Sequence, residues 1–350
     1  MYIMTVILFV KGELTVSKKV TMQDIADRLG VSKVTVSKAL NDKPGVSEEL
    51  KQKIIDLAVE MDYKFNSIAK ALKTKRTGNI GVIVPEIFFT KNEFFYTKIF
   101  HYIEMEATRR KMNTILTILT AEEEAKNKVP LMCQEQKVDG LLLLGQVSPK
   151  YVTFLNKLNL PMILVDFYYR DIKLDHVVTD NFYASYNITS YLIEKGHKKI
   201  GFCGNINLYS SIQDRYLGYH KALLEYGLVF DEKYLLKERD DKGNYIDIII
   251  PDELPTAFVC NCDKAAYLLG SKLNAMGYKI PDDVSLVSFD DVEYSTMFNP
   301  PITTVKVKRD EMARQAVTQL LWRIENNEDL GQRIVIGTDI VIRDSVKEIK

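Results

Sequence analysis

Hydrophobic positions follow two regimes along the chain. Over residues 20–61 they recur three and four apart, and from Ile80 onward they gather into short continuous runs separated by longer amphipathic stretches. In the first regime Met22, Ile25, Ala26 and Leu29 share one helical face, Gly30 stops that helix, and Ser32 stands where a second helix needs an N-cap. Val36, Ala39 and Leu40 give the second helix an inward stripe. The loop from Asn41 through Pro44 and Gly45 breaks the pattern. Ser47 then caps a third helix, acidic at Glu48 and Glu49, with a stripe of Leu50, Ile54, Leu57, Ala58 and Met61. Two short helices across a tight turn, backed by a third, predict a helix-turn-helix headpiece.

In the second regime the apolar runs are 80–84, 114–119, 140–144, 162–165, 199–202, 257–260 and 284–289, with a last strand read over 334–342. Near-continuous apolar strands alternating with helices mean parallel sheets covered on both faces. The prediction is an α/β core of two doubly wound parallel-sheet subdomains, with a ligand cleft beyond the strand C-terminal ends.

The outer face of the second helix carries Lys33, Val34, Ser37 and Lys38, the chemistry a major-groove reader needs: cations for phosphates and guanine edges, small groups for the thymine methyl. Thr21, Ser32, Thr35 and Asn41 complete the candidate DNA contacts. An ordinary helical hairpin with a solvated lysine face is the alternative for this motif alone. Charge placement favours the first reading. The 47 basic and 47 acidic residues cancel over the chain, yet 17–77 holds 13 Lys or Arg against 8 Asp or Glu, a local excess of five.

Composition narrows the class further. With 350 residues, 46% hydrophobic and 27% charged, the chain is long enough for two or three domains with their own cores. Cys133, Cys203, Cys260 and Cys262 form no CxxC pair and no His/Cys cluster, so no disulfide framework, metal site or cofactor is expected, and a reducing cytoplasm fits. No P-loop, Gly-x-Gly-x-x-Gly, His-Glu-x-x-His or Gly-x-Ser-x-Gly is present, so the main enzyme classes lack their signatures. His197, in the Lys-Gly-His-Lys-Lys run, reads as structural. The apolar run 3–10 is too short for a membrane span and lacks the flanks of a signal peptide. Residues 1–16 read as an extension from a mis-called start: Lys11-Gly12-Glu13 is what a purine-rich ribosome-binding site would encode, and Val16 fits a GTG start. Mass determination at the native N-terminus tests this.

The stretch 20–39, the loop with Pro44, and Tyr63 with Asn66-Ser-Ile-Ala69-Lys-Ala-Leu72 together resemble the lactose-repressor (LacI) family of bacterial transcription regulators. Further motifs follow in order: Thr179-Asp-Asn181, the run from Tyr191 to Gly201, Asp214-Arg-Tyr-Leu-Gly-Tyr219, the run from Asp282 to Asp291, and Asn299-Pro-Pro-Ile-Thr-Thr304. The resemblance implies a headpiece over 17–64, a hinge helix and linker over 65–77, and an effector-binding, dimerising core over 78–350. Within the core it implies subdomains at about 78–168 with 308–332 and 169–305 with 333–350, joined by three crossovers like a periplasmic sugar-binding protein. Asn66, Ala69 and Leu72 are the hinge candidates, with Leu72 as a minor-groove wedge; so short a helix needs something else to order it.

Carried over by motif, Arg215 and Asp290 are the leading effector contacts, each with an ion pair at the cleft mouth as the structural alternative. Phe94 and Phe95 match an aromatic position, and Asp240 is a further candidate. Cys262 departs from the family: most members have Asn-Asp where this chain has Cys262-Asp263, so a usual amide contact is absent. The loop 85–93 is also longer and more aromatic than usual. Phe88, Phe89, Phe95, Phe167 and Tyr168 are read as rings for a sugar's apolar face, or as core. The expected function is a homodimeric repressor, cytoplasmic, bound to a near-palindromic operator and controlled by a small-molecule effector, with a carbohydrate as the leading class. A purine or nucleoside, or a protein co-regulator, is the alternative; a non-regulatory sugar-binding protein is the distant one.

Overall fold

The structure, a computed structural model, describes residues 20–63, 76–89, 94–326 and 331–349. The chain divides into two compact units, 1–75 and 76–350. The extension 1–16 and the hinge candidates Asn66, Ala69 and Leu72 lie outside the described residues.

In the first unit α1 (Met22–Leu29), α2 (Lys33–Leu40) and α3 (Glu48–Glu60) follow the periodicity of the sequence. Each begins at a hydroxyl residue: Thr21, Ser32 and Ser47 accept from the backbone N–H of Asp24, Thr35 and Leu50, amides the first turn leaves without a partner. Gly30 ends α1 at φ 64°, a left-handed conformation that costs glycine little. Ile25, Ala26, Val36, Ala39, Ile54, Leu57 and Ala58 close the core, and Leu40, Leu50 and Met61 pack at its edge. Each large aliphatic side chain so buried contributes about 1.5–3 kcal/mol.

The second unit holds two six-stranded sheets. The chain first lays down β1 (Asn79–Pro85), β2 (Asn113–Leu119), β3 (Gly140–Leu144), β4 (Met162–Val165) and β5 (Asp175–Thr179). It then crosses to β6 (Ile200–Cys203), β7 (Leu235–Leu236), β8 (Ala257–Cys260), β9 (Ser285–Asp290) and β10 (Thr303–Val307). Finally β11 (Arg333–Ile336) returns to the first sheet and β12 (Thr338–Val341) closes the second, giving orders β11-β5-β4-β3-β1-β2 and β12-β10-β9-β8-β6-β7. All described pairings are parallel except β10 with β12.

Both faces of each sheet are covered. In the first, Val82, Leu142, Leu144, Ile163 and Val165 face one core, while Ile83, Leu141, Leu143 and Leu164 face another. Alternate residues of one strand thus enter opposite layers, which is why these strands read as unbroken apolar runs. The long helices are α4 (Phe94–Arg109), α5 (Asn181–Glu194), α6 (Ser210–Glu225), α7 (Asp263–Ala275) and α8 (Arg309–Glu325).

Two expectations need correction. The subdomain boundaries at 168/169 and 332/333 cut the first sheet short, because β5 and β11 both belong to it; the crossovers follow Thr179, Val307 and Ile336. Strand β5, Asp-His-Val-Val-Thr, is too short and polar to stand out, and tertiary contacts hold it: Arg323 of α8 donates to Asp175 at 2.6 Å. The single strand expected over 334–342 is two, in different sheets, with Gly337 between them. No helix among the described residues is long and apolar enough to cross a membrane. All four cysteines are free of disulfides.

Candidate functional site

The headpiece presents α2 as its candidate nucleic-acid surface. Lys33, Val34 and Lys38 are exposed, Val34 to 64%. Arg28, Lys51 and Lys53 pair with Glu60, Asp42 and Glu49, whereas Lys33 and Lys38 enter no ion pair among the described residues. Unpaired cations beside an exposed branched methyl group suit phosphate and thymine contact. Other candidates have prior commitments. Thr21 Oγ1 donates to Asp24 at 2.7 Å, Ser32 Oγ bonds Thr35 Oγ1 at 2.8 Å, and Asn41 Nδ2 donates to the Ser37 carbonyl at 2.8 Å. Thr35 and Ser37 are half-buried. These polar groups shape the helix ends, leaving Lys33, Val34 and Lys38 as the outward chemistry.

In the second unit a cavity of about 230 Å3 opens between the two sheets, lined from both subdomains. Arg215 and Asp290 meet in it. Arg215, on α6, is buried; its Nε donates to Asn181 Oδ1 at 2.7 Å, Nη1 to the Asn261 carbonyl, and Nη2 to Asp290 Oδ1 at 3.3 Å. Its guanidinium lies 4.6 Å from the Phe289 ring centroid. The pair is therefore a buried wall of the cavity, not an ion pair at its mouth. Burial drives the Asp290 carboxyl upward, while the Arg215 charge opposes the shift.

Asp166, absent from the sequence candidates, faces the pair from the first subdomain. Tyr96 donates to its Oδ2 at 2.7 Å, and its buried Oδ1 has no hydrogen-bond partner. Burial pushes this carboxyl up to about 6, against the opposing charge of Arg215. Asp166 directly follows β4 at φ 70°, and Asp290 is the last residue of β9 at φ 107°. The second value lies outside the left-handed well, and strained backbone of this kind clusters at ligand sites. Both acids thus stand at the C-terminal ends of parallel strands, where ligands of such sheets bind. That rule picks out Asp166 in Met-Ile-Leu-Val-Asp-Phe as readily as Asp290.

Phe94 and Phe95 both line the cavity, and Phe94 packs on Tyr294 with centroids 5.4 Å apart. Of the other rings, Phe88 lines it, while Phe89, Phe167 and Tyr168 do not. Phe167 is in the core behind, and the Tyr168 hydroxyl donates to Asp214 at 2.8 Å. Asp240 also falls outside the lining: its carboxylate accepts from the backbone of Lys242 and Asn244, both at 2.9 Å, and so ties its own loop. The neighbouring Arg239, with Tyr245 from the same loop, faces the cavity instead. Cys262 lines it as a neutral group, burial pushing its thiol up to about 12. Lys264 and Asn261 complete this side. Behind the wall, Asp263 accepts from Ser288, from Thr304 at 2.6 Å and from the Val292 amide at 2.7 Å. Burial and the Asp290 charge push it up to about 8. Among the described residues no group of three or more His, Cys, Asp or Glu could hold a metal ion. His197 is buried, bonding Thr256 at 2.9 Å and the Lys347 carbonyl at 3.0 Å.

Comparison with known proteins follows this division. The model for bacterial regulatory proteins of the lacI family matches residues 21–66, and that for a periplasmic binding protein-like domain matches 189–346. A ribose operon repressor of Haemophilus influenzae is 28% identical over 335 residues, covering 94% of this chain and 99% of its own. The HTH-type transcriptional repressor PurR of the same species is 30% identical over 340 residues, with the same coverage. Among solved structures, the lac repressor dimer bound to operator and the anti-inducer ONPF superposes with a TM-score of 0.75 at 21% identity, covering 94% of this chain and 100% of that one.

Proposed function

Since the chain belongs to the lacI family of bacterial regulatory proteins, we propose that it is a repressor whose operator affinity is set by a carbohydrate held in the core cleft. The observation that carries the effector class is the arrangement of Arg215, Asp290 and Asp166. Three charged groups from two subdomains converge on one cavity, and one buried carboxylate oxygen is left for a ligand hydroxyl. Charge-assisted bonds of this kind select vicinal hydroxyls, and flanking rings suit the apolar face of a sugar. The similarity to a ribose operon repressor points the same way. The lining rings are tilted to one another, at 39° for Phe88 and Tyr96, 62° for Phe88 and Tyr209 and 57° for Phe94 and Tyr294, so these pairs form no parallel stack for a flat base.

In this reading two headpieces of a homodimer read the halves of a near-palindromic operator through Lys33, Val34 and Lys38, while Leu72 of each hinge kinks its centre. A sugar bridging Asp166 and Asp290 changes the angle between subdomains and so the spacing of the hinges. A coupling of about 1–3 kcal/mol suffices for regulation. The cleft binds and does not turn its ligand over, and the protein works in the cytoplasm, beside the DNA. Thermal-shift titration with sugars, purines and nucleosides, followed by operator binding at fixed salt, tests this. A sugar that raises the melting temperature and alters operator affinity is the expected outcome; a response to purines alone overturns the carbohydrate reading.

A further inference from the structure

We propose that Gln146 and Tyr168 of the first subdomain form a latch on the N-terminal end of α6, holding the cleft closed and so setting how readily an effector enters and leaves. This inference rests on reading the cleft as the effector site, but its test needs no effector.

Helix α6 belongs to the second subdomain and carries Arg215, the buried wall of the cavity. Its first backbone amides have no partner within the helix, and Tyr209, at the N-cap position, gives them no side-chain acceptor. The acceptor comes from the other side of the cleft. Gln146, two residues past β3, takes the Ser210 amide on Oε1 at 2.9 Å and donates from Nε2 to the Leu208 carbonyl at 3.2 Å. One side-chain amide thus satisfies a donor and an acceptor of the opposite subdomain.

Asp214 lies one turn further along α6, on the same face as Ser210. The Tyr168 hydroxyl, from the loop after β4, donates to its Oδ1 at 2.8 Å, and Arg333 of β11 stands 4.0 Å from Oδ2. Both partners belong to the first subdomain. The Arg333 guanidinium also lies 4.9 Å from the Tyr168 ring centroid, and that ring stacks on His176 at 5.5 Å, so the phenol is held from its own sheet. Two ring contacts cross the cleft as well, Phe88 with Tyr209 and Phe94 with Tyr294, but all four rings line the cavity, whereas Gln146 and Tyr168 do not. Separating the subdomains at α6 breaks three hydrogen bonds, each worth about threefold to tenfold in the open fraction. A ligand enters the open form and is held by the closed one, so these bonds set the cost of entry from outside the binding surface.

Cys262 supplies the readout. Of the four cysteines it alone lines the cavity, and burial suppresses its thiolate, so it reacts when the cleft opens. Cys203 and Cys260 are fully buried in β6 and β8. Alkylation of the full chain with iodoacetamide at fixed pH, followed by mass spectrometry of each cysteine peptide, reads cleft opening at Cys262 and global unfolding at the other two. Gln146→Leu and Tyr168→Phe should each speed Cys262 modification about threefold to tenfold with Cys203 and Cys260 unchanged, and the double variant should exceed either. Tyr168→Phe keeps the ring and removes only the hydroxyl, so if Gln146→Leu fails to fold, Tyr168→Phe carries the test. An unchanged Cys262 rate in either folded variant, or rates at Cys203 and Cys260 that rise in step with it, overturns the latch and leaves the carbohydrate reading standing. Failure of every sugar to bind would overturn that reading without altering the labelling result.

Discussion

The recognition helix and the cleft use the same residue types in opposite ways. On α2 the working cations stand in water on eight consecutive residues, with no partner of their own among the described residues. In the cleft every charge is at least partly withdrawn from water and reached from a different segment: 166, 215, 239, 264 and 290. An exposed cation costs the fold little and is open to whatever phosphate arrives. A buried one must be neutralised by the protein itself, so its geometry is settled before a ligand comes. Changes on α2 should therefore alter binding without stability, and changes in the cleft should alter both.

Arg215→Ala should show the contrast most strongly. It strands Asp290 without its cation and removes three hydrogen bonds, so a loss of about 3–5 kcal/mol in unfolding free energy is expected from urea titration, with effector binding abolished. An unchanged urea midpoint would mean that the pair is not structurally committed.

Asp166→Asn sharpens the comparison through pH. The carboxyl is raised from 3.8 to about 6, so the folded chain holds this proton more tightly than the unfolded chain does. Its stabilising contribution is complete below about pH 4 and is lost as pH climbs through 6. The variant has no such titration. Its stability relative to wild type should improve by about 2–3 kcal/mol between pH 4 and pH 7, the worth of a two-unit shift. Measuring the difference between the two proteins removes the opposing contribution of His176 and His197, both held below their usual value by burial.

Smaller effects belong to the DNA side. Leu72→Ala should weaken operator binding by about 1–3 kcal/mol while sparing effector affinity; equal operator affinity at fixed salt would remove the wedge assignment. Val34→Ala should relax base preference at one position by about 1 kcal/mol, and Lys33→Ala should lower the salt slope of binding by about one if it meets a phosphate. Neither should move the melting temperature, since both side chains are exposed.

Legibility in the sequence followed locality. Thr21, Gly30, Ser32 and Ser47 act on their own helices within a few residues, so the headpiece could be read from spacing alone. The apolar runs of the core were equally plain because both faces of those strands are buried. Strand β5 was hidden because its place depends on Arg323, far along the chain. The cleft was legible in part: Arg215 and Asp290 carry motifs, but Tyr96 on α4, Lys264 on α7, and Arg239 with Tyr245 on one loop line the same cavity only once the core has folded. Asp240 shows the limit, since its carboxylate and the guanidinium of Arg239 point to different places one residue apart.

What this sequence determined by itself is therefore what short-range physics can decide: helix periodicity and caps, buried strands, an outward lysine face, and the motifs of a family. The tertiary structure alone decided which sheet each late strand joined and which acids turned toward the cavity. Those outcomes depend on burial and on partners tens to hundreds of residues away, and no local pattern encodes the distance between two side chains that meet only after the chain has crossed between subdomains three times.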